Sequence, residues 1–166
     1  VTNPSVSPEN EYLLPDGGSG MLTYAAAMDI EIITDLFDLC KVLIKEIQKL
    51  EPDFDSSFYE AMDNAGARLP KIKISARHGG IQEWIEDYEE KDPGHRHVSQ
   101  LYGVYPGTSI NPEKTPELAK AAVRTIERKY EAGYDGQGWS LGWIAAICAR
   151  LGQGDKGYDV ICEIYR

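Results

Sequence analysis

Positive charge is in short supply in this sequence: 17 Lys and Arg stand against 27 Asp and Glu, a formal net charge of −10. A chain of that sign has too little to neutralise a phosphate backbone, which argues against nucleic acid as a partner. A neutral or cationic ligand, or simply a soluble surface, fits it. Long apolar runs are missing too. No stretch approaches the roughly 20 apolar residues of a membrane span, so no membrane partner is expected. The N-terminus also lacks the charged-then-apolar order of a signal peptide. Cysteine is scarce, with Cys40, Cys148 and Cys162 odd in number and each set in an apolar helical pattern. They read as small core hydrophobes rather than disulfides or metal ligands, and leave the compartment open. There is no glycine-rich phosphate loop after a strand and no Cys or His pair at zinc-finger spacing. No nucleophile-elbow pattern supports a Ser-His-Asp arrangement.

What is present is helical. The 166 residues fit one domain, long enough to bury roughly two-thirds of the unfolded surface. Both ends look cut: the chain opens on Val1 without a Met and stops while a helical pattern is still running, so a piece of a longer protein is expected. After the Asp16-Gly-Gly-Ser-Gly20 turn a helix is predicted over 24–50, with Met28, Ile32, Ile33, Leu36, Cys40, Leu43, Ile44 and Ile47 as its apolar stripe. A second helix is predicted over 56–68, with Phe58, Tyr59, Met62 and Ala65 inward. Residues 79–88 form a short helix or ordered segment with Ile81, Trp84, Ile85 and Tyr88 on one face. Thr115-Pro-Glu-Leu118 opens another helix, with Thr115 as N-cap and Pro116 at the first position. Its stripe is Leu118, Ala122, Ile126 and Tyr130. Residues 139–151 are almost wholly apolar and should be buried on most sides, with Gly152 as the glycine past the end. Asp155 caps a last helix with Tyr158, Ile161, Cys162 and Tyr165 inward. No strand-period segment exceeds a few residues. The fold class is all-α, built of helical hairpins.

The stretch that organises the chain is Glu89-Glu-Lys-Asp-Pro-Gly-His-Arg-His-Val-Ser-Gln-Leu-Tyr-Gly-Val-Tyr-Pro-Gly107, with His95 and His97 either side of Arg96. Asp92-Pro93-Gly94 makes it a loop arriving at an ordered segment. Such a cluster at the mouth of a rigid scaffold is a polar binding site, or else a capped turn whose histidines and arginine pair with Glu89, Glu90 or Asp92. The two histidines could join a carboxylate in a metal site, but no second ligand spacing supports one, and neither metal nor cofactor is expected. Glu9 follows Pro8 on a stiff, non-helical length of chain. Held partly desolvated, its pKa would rise to suit general acid work; as a tail residue it would simply be exposed. Asp135 sits among glycines in Gly133-Tyr-Asp-Gly-Gln-Gly138. Two carboxylates facing a sugar-sized pocket is what glycoside hydrolysis requires.

Six segments, in order, carry a resemblance: Asn3-Pro-Ser-Val-Ser-Pro-Glu-Asn10, Met28-Asp-Ile-Glu-Ile-Ile-Thr-Asp-Leu-Phe37, Ile81-Gln-Glu-Trp84, His95-Arg-His-Val-Ser-Gln-Leu-Tyr-Gly-Val-Tyr-Pro-Gly107, Thr115-Pro-Glu-Leu-Ala119 and Asp135-Gly-Gln-Gly-Trp-Ser140. Together they resemble the C-terminal half of the catalytic domain of glycoside hydrolase family 95, whose typical activity is that of a 1,2-α-L-fucosidase. The resemblance implies part of an (α/α)6 barrel of helical hairpins and inversion at the anomeric carbon. It implies Glu9 as general acid, and Asp135 as the group assisting two asparagines that position the attacking water. His97, or else His95, would contact the sugar, and Trp84 and Trp139 would wall the pocket.

The expected ligand is a fucosylated oligosaccharide or glycan, and the family's habits suggest a periplasmic or extracellular bacterial setting. The chain departs from its relatives at Tyr24-Ala-Ala-Ala27 (often Gly-Pro-Thr before Met-Asp), at Gln100 (usually a supporting His) and at Glu31 (commonly Gln). The asparagine pair belongs to an upstream part of the barrel. The expected partner is therefore the rest of the barrel, with self-association possible in its absence. A related α-L-galactosidase and an inactive carbohydrate-binding module are the rival readings.

Overall fold

The computed structural model describes residues 2–165. Its helices are α1 (Ala27–Leu50), α2 (Ser57–Gly66), α3 (Pro116–Glu131), α4 (Trp139–Arg150) and α5 (Gly154–Ile164). Four two-residue strands precede them: β1 (Ser5–Val6) pairs antiparallel with β4 (Leu22–Thr23), and β2 (Tyr12–Leu13) with β3 (Ser19–Gly20). The all-α class and the helical hairpins hold, as in a part of an (α/α) barrel. The strands only pin the N-terminal arm. No helix among the described residues is long and apolar enough to cross a membrane.

The core lies between α3, α4 and the middle of the chain. Ile81, Val98, Leu101, Val104, Ile110, Ala122, Ile126, Ile144, Ile147 and Val160 pack there. Burying each such aliphatic side chain is worth about 1.5–3 kcal/mol. Helix α3 buries Ala119, Ala122, Thr125, Ile126 and Lys129, a stripe at helical spacing. Gly152, at φ 69°, closes α4 in the left-handed conformation that a residue with a Cβ resists.

Several expectations are corrected. The stripe on α1 faces outward for most of its length: only Ala27, Ile30 and Glu31 are buried, while Leu36, Leu39, Val42 and Leu43 stand exposed. Among the described residues α2 packs along the helix beyond its first turns, and Phe58 of α2 is also exposed. Tyr158 and Ile161 of α5, and Tyr165 just past its end, point out, and Gly157 and Val160 point in. Helix α4 is buried along Leu141, Ile144, Ile147 and Cys148, whereas Trp139 is 62% exposed. Residues 79–88 take the ordered alternative and not the helical one. They run irregularly through the interior with Ile81, Gln82, Glu83 and Trp84 buried in succession, which no helical face could achieve. Thr115 stands at the N-cap position of α3, but its hydroxyl accepts from the Asn111 N–H at 2.8 Å instead of capping the helix. Asp155 falls within the first turn of α5, after Gln153 at the cap. Cys148 is buried, and Cys40 and Cys162 are half-buried free thiols.

Candidate active site

The N-terminal arm is anchored before it reaches Glu9. Asp29, in the first turn of α1 where a carboxylate is favoured by the helix dipole, accepts from the Thr2 hydroxyl at 2.5 Å and the Ser5 hydroxyl at 2.7 Å. The arm alternates with serines inward and Val6 outward, because the interior it meets is polar. The Asn10 N–H donates to the Ser7 carbonyl at 3.1 Å, which closes a turn with Pro8 and Glu9 at its tip.

At that tip Glu9 meets the histidine loop. Its carboxylate is ion-paired with Arg96, and ligand atoms of Glu9, His95 and His97 all lie within 4.8 Å of one another. His97 Nδ1 is 3.0 Å from the Pro8 carbonyl, and the two imidazoles meet edge to face at 5.0 Å. His95 is buried and its pKa is lowered, first by desolvation and then by the charges of Lys129, His97 and Arg96. A neutral ring suits its position, since its Nδ1 accepts from the His97 N–H at 3.2 Å. The His97 ring packs on Trp139 at 5.2 Å, and Trp139 stacks on Trp143 at 5.7 Å. The cluster has the donor set for a metal ion, but a metal would have to displace the Arg96 guanidinium from Glu9.

The desolvated Glu9 expected from its place beside Pro8 is corrected: the side chain is 61% exposed and paired with Arg96. The pairing of the loop with Glu89, Glu90 or Asp92 is corrected as well. Glu90 instead pairs with Arg128 at 2.8 Å, both nearly enclosed. Asp135 is exposed on the adjoining turn, which docks onto the histidine loop through its own N–H to the Gly94 carbonyl (3.4 Å) and the Tyr134 hydroxyl to the Arg96 carbonyl (2.9 Å). Asp135 lines an open depression of about 500 Å³ with Gln137, Leu141 and Glu163, which does not include Glu9. Trp84 is 2% exposed and packs edge-on against Tyr12 at 5.4 Å, so the expected pocket wall is corrected to a core residue with no free face for a sugar.

The glycosyl hydrolase family 95 catalytic domain matches residues 1–166. This chain belongs to that family. It is 38% identical over 164 residues to Alpha-L-fucosidase 2 of Arabidopsis thaliana, covering 99% of this chain and 18% of the relative. It is also 32% identical over 163 residues to Probable alpha-fucosidase A of Aspergillus niger, covering 96% of this chain and 19% of that relative. The chain thus spans about a fifth of the length of these relatives.

Beneath Glu9 lies a buried polar layer whose Glu83 and Lys129 the motifs did not mark as site residues. Glu83 is 3% exposed, and Ser7, Asn10 and Gln100 all donate to it. Burial raises its pKa to about 7, the charge of Lys129 pulling it back and that of Glu90 pushing it further up. Lys129 is fully buried and donates to the His95 carbonyl at 3.1 Å. Its signal was available: it falls on the Ala122–Ile126 stripe of α3, where a charge has no solvent and must have a partner. Gln100 Nε2 donates to Glu83 at 3.3 Å. Glu31 is buried with its pKa pushed well above the usual carboxylate range by desolvation, while the Gly103 N–H donates to its Oε2 at 3.0 Å.

Proposed function

We propose that this chain contributes the acid side of an inverting, exo-acting α-L-fucosidase site that removes terminal α-1,2-linked L-fucose from glycans. The observation that carries the reading is the convergence of Glu9, Arg96, His95 and His97, from segments far apart in sequence, in a chain of family 95. Glu9 delivers a proton to the leaving oxygen, and Asp135 supports the groups that activate water on the opposite face of the sugar. His97 and His95 contact the sugar, and exposed Trp139, tilted against the His97 ring, offers an apolar ring for its less polar face.

In this reading 1–166 is a single partial unit of the barrel. The remaining hairpins bury the open stripe of α1, exclude water around Glu9 and bring the water-positioning amides. Exposed Leu36, Leu39, Val42 and Leu43 support that partner, since monomers seldom leave contiguous apolar surface uncovered. Without it, the chain self-associates and is inactive.

The test is fucose release from 2′-fucosyllactose by the complete protein, by its Glu9→Gln variant, and by residues 1–166 alone. The complete protein turns over, Glu9→Gln loses about 10²–10⁴ in kcat with binding kept, and the isolated chain releases nothing. Equal activity of parent and Glu9→Gln removes Glu9 from the mechanism. Turnover of an α-L-galactoside in place of the fucoside moves the reading to the related galactosidase. Sugar binding without turnover in the parent moves it to a binding module.

A further inference from the structure

The turn that carries Glu9 is held from below at both of its ends by one side chain. The Ser7 hydroxyl donates to Glu83 Oε1 at 2.6 Å, and Asn10 Nδ2 donates to Glu83 Oε2 at 3.3 Å. These are the first and last residues of the turn closed by the Asn10 N–H and the Ser7 carbonyl, with Glu9 between them. Glu83 is itself fixed: Gln100 Nε2 donates to Oε2 at 3.3 Å, and its own carbonyl accepts from the Ala27 N–H at 3.0 Å, at the first residue of α1. Ser7 Oγ also lies 2.7 Å from Ser99 Oγ, in the short helical turn that follows the histidine loop.

We propose that Glu83 is a positioning residue for the general acid, a buried carboxyl that grips Ser7 and Asn10 and thereby aims the Glu9 carboxyl toward the leaving oxygen. It touches neither sugar nor water. Its effect passes through the turn, and the inference rests on the reading of Glu9 as the acid.

An extended arm with one exposed carboxylate has many orientations in water. Proton transfer works only when donor and acceptor stand within hydrogen-bond reach, and a displacement of about 1 Å can cost 10²-fold. Arg96 alone does not supply the aim, because both it and Glu9 are largely exposed and such pairs hold geometry weakly. Glu83 holds from inside, where a hydrogen bond is stronger and an unmet partner costs more. The grip tolerates either protonation state. If Glu83 carries a proton, it can donate to Ser7 Oγ while the Ser7 hydroxyl turns to Ser99.

The experiment compares two substrates of the complete protein: 2′-fucosyllactose, whose leaving oxygen needs a proton, and α-L-fucosyl fluoride, whose fluoride departs without one. Glu83→Ala is expected to lose about 100-fold in kcat on fucosyllactose, with KM changed less than about threefold. On the fluoride it should lose less than about threefold. Ser7→Ala, which cuts one arm of the grip, gives a smaller loss of the same kind, and serves if Glu83→Ala fails to fold. Glu83→Gln can accept from Asn10 and Gln100 through its carbonyl while its amide donates to Ser7 Oγ, so this conservative variant is expected to lose less on fucosyllactose than Glu83→Ala does.

Equal losses on both substrates, or a loss lodged in KM, overturn the proposal, because a general structural role would spare neither leaving group. Glu9→Gln run in parallel separates the two readings. If it shows no preference for the fluoride, the assignment of the acid has failed. If it shows the preference and both Glu83→Ala and Ser7→Ala do not, the grip has failed and the acid stands.

Discussion

The α3–α5 region and the region beneath Glu9 are both buried, and they are built by opposite means. In the first, Ile126, Ile144, Ile147 and Val160 interdigitate without polar atoms. Its order comes from packing, which is close to that of an organic crystal. In the second, Ser7, Asn10, Glu83, Ser99, Gln100 and Lys129 are as well buried, but each is placed by a directed bond. An apolar core accepts many side chains of similar volume. A polar layer accepts few, because every donor must meet an acceptor. The region beneath the proposed acid is the one built from directed bonds.

Three measurements sharpen that contrast. The largest effect belongs to the apolar region. Ile144→Ala, at a side chain with no exposure, costs about 2–5 kcal/mol of unfolding free energy in chemical denaturation, and the cost does not vary between pH 5 and pH 8. A cost that grows or shrinks across that range would show the two regions to be coupled.

The polar region answers to pH instead. Glu83, facing Lys129 and Glu90 and held by Ser7, Asn10 and Gln100, has a folded pKa raised to about 7 from an ordinary 4.5. The folded state therefore holds this proton more tightly than the unfolded chain does. The contribution to stability is full below about pH 4.5 and is lost as pH rises through about 7, of order 3 kcal/mol for this group. Glu83→Gln, which cannot titrate, should flatten that part of the stability–pH curve. An unchanged slope in the variant means that another group carries it.

The smallest effect is at the surface. Lys120 and Glu117 pair at 2.8 Å on α3 with both side chains 73% exposed, and Lys120→Ala should shift stability by no more than about 0.5 kcal/mol. A larger loss there would mean that surface ion pairs rival the interior.

What could be read along the chain follows the same division. Helices α3 and α4 were legible because their buried residues recur at helical spacing, and Gly152 ends α4 as its sequence position implies. The run 79–88 was not, since Gln82 and Glu83 look like the wet side of a helix until their partners are known. The apolar stripe of α1 was legible as a pattern, but a pattern says only that something should cover it. Of the site, the histidine loop, Glu9 and Asp135 could be named from their motifs. Arg96 as the partner of Glu9, and Lys129 beneath His95, could not.

The sequence by itself determined the helical class, the helix-forming stretches, the motifs of family 95 and the set of polar residues available for chemistry, because these depend on local period and residue type. Only the tertiary structure decided that Glu9 meets Arg96 and two histidines 86 or more positions away, and that a carboxyl between Gln82 and Trp84 grips the turn around it. Pairing across such separations is set by how the elements pack, and local sequence carries no record of which distant donor a buried acceptor will meet.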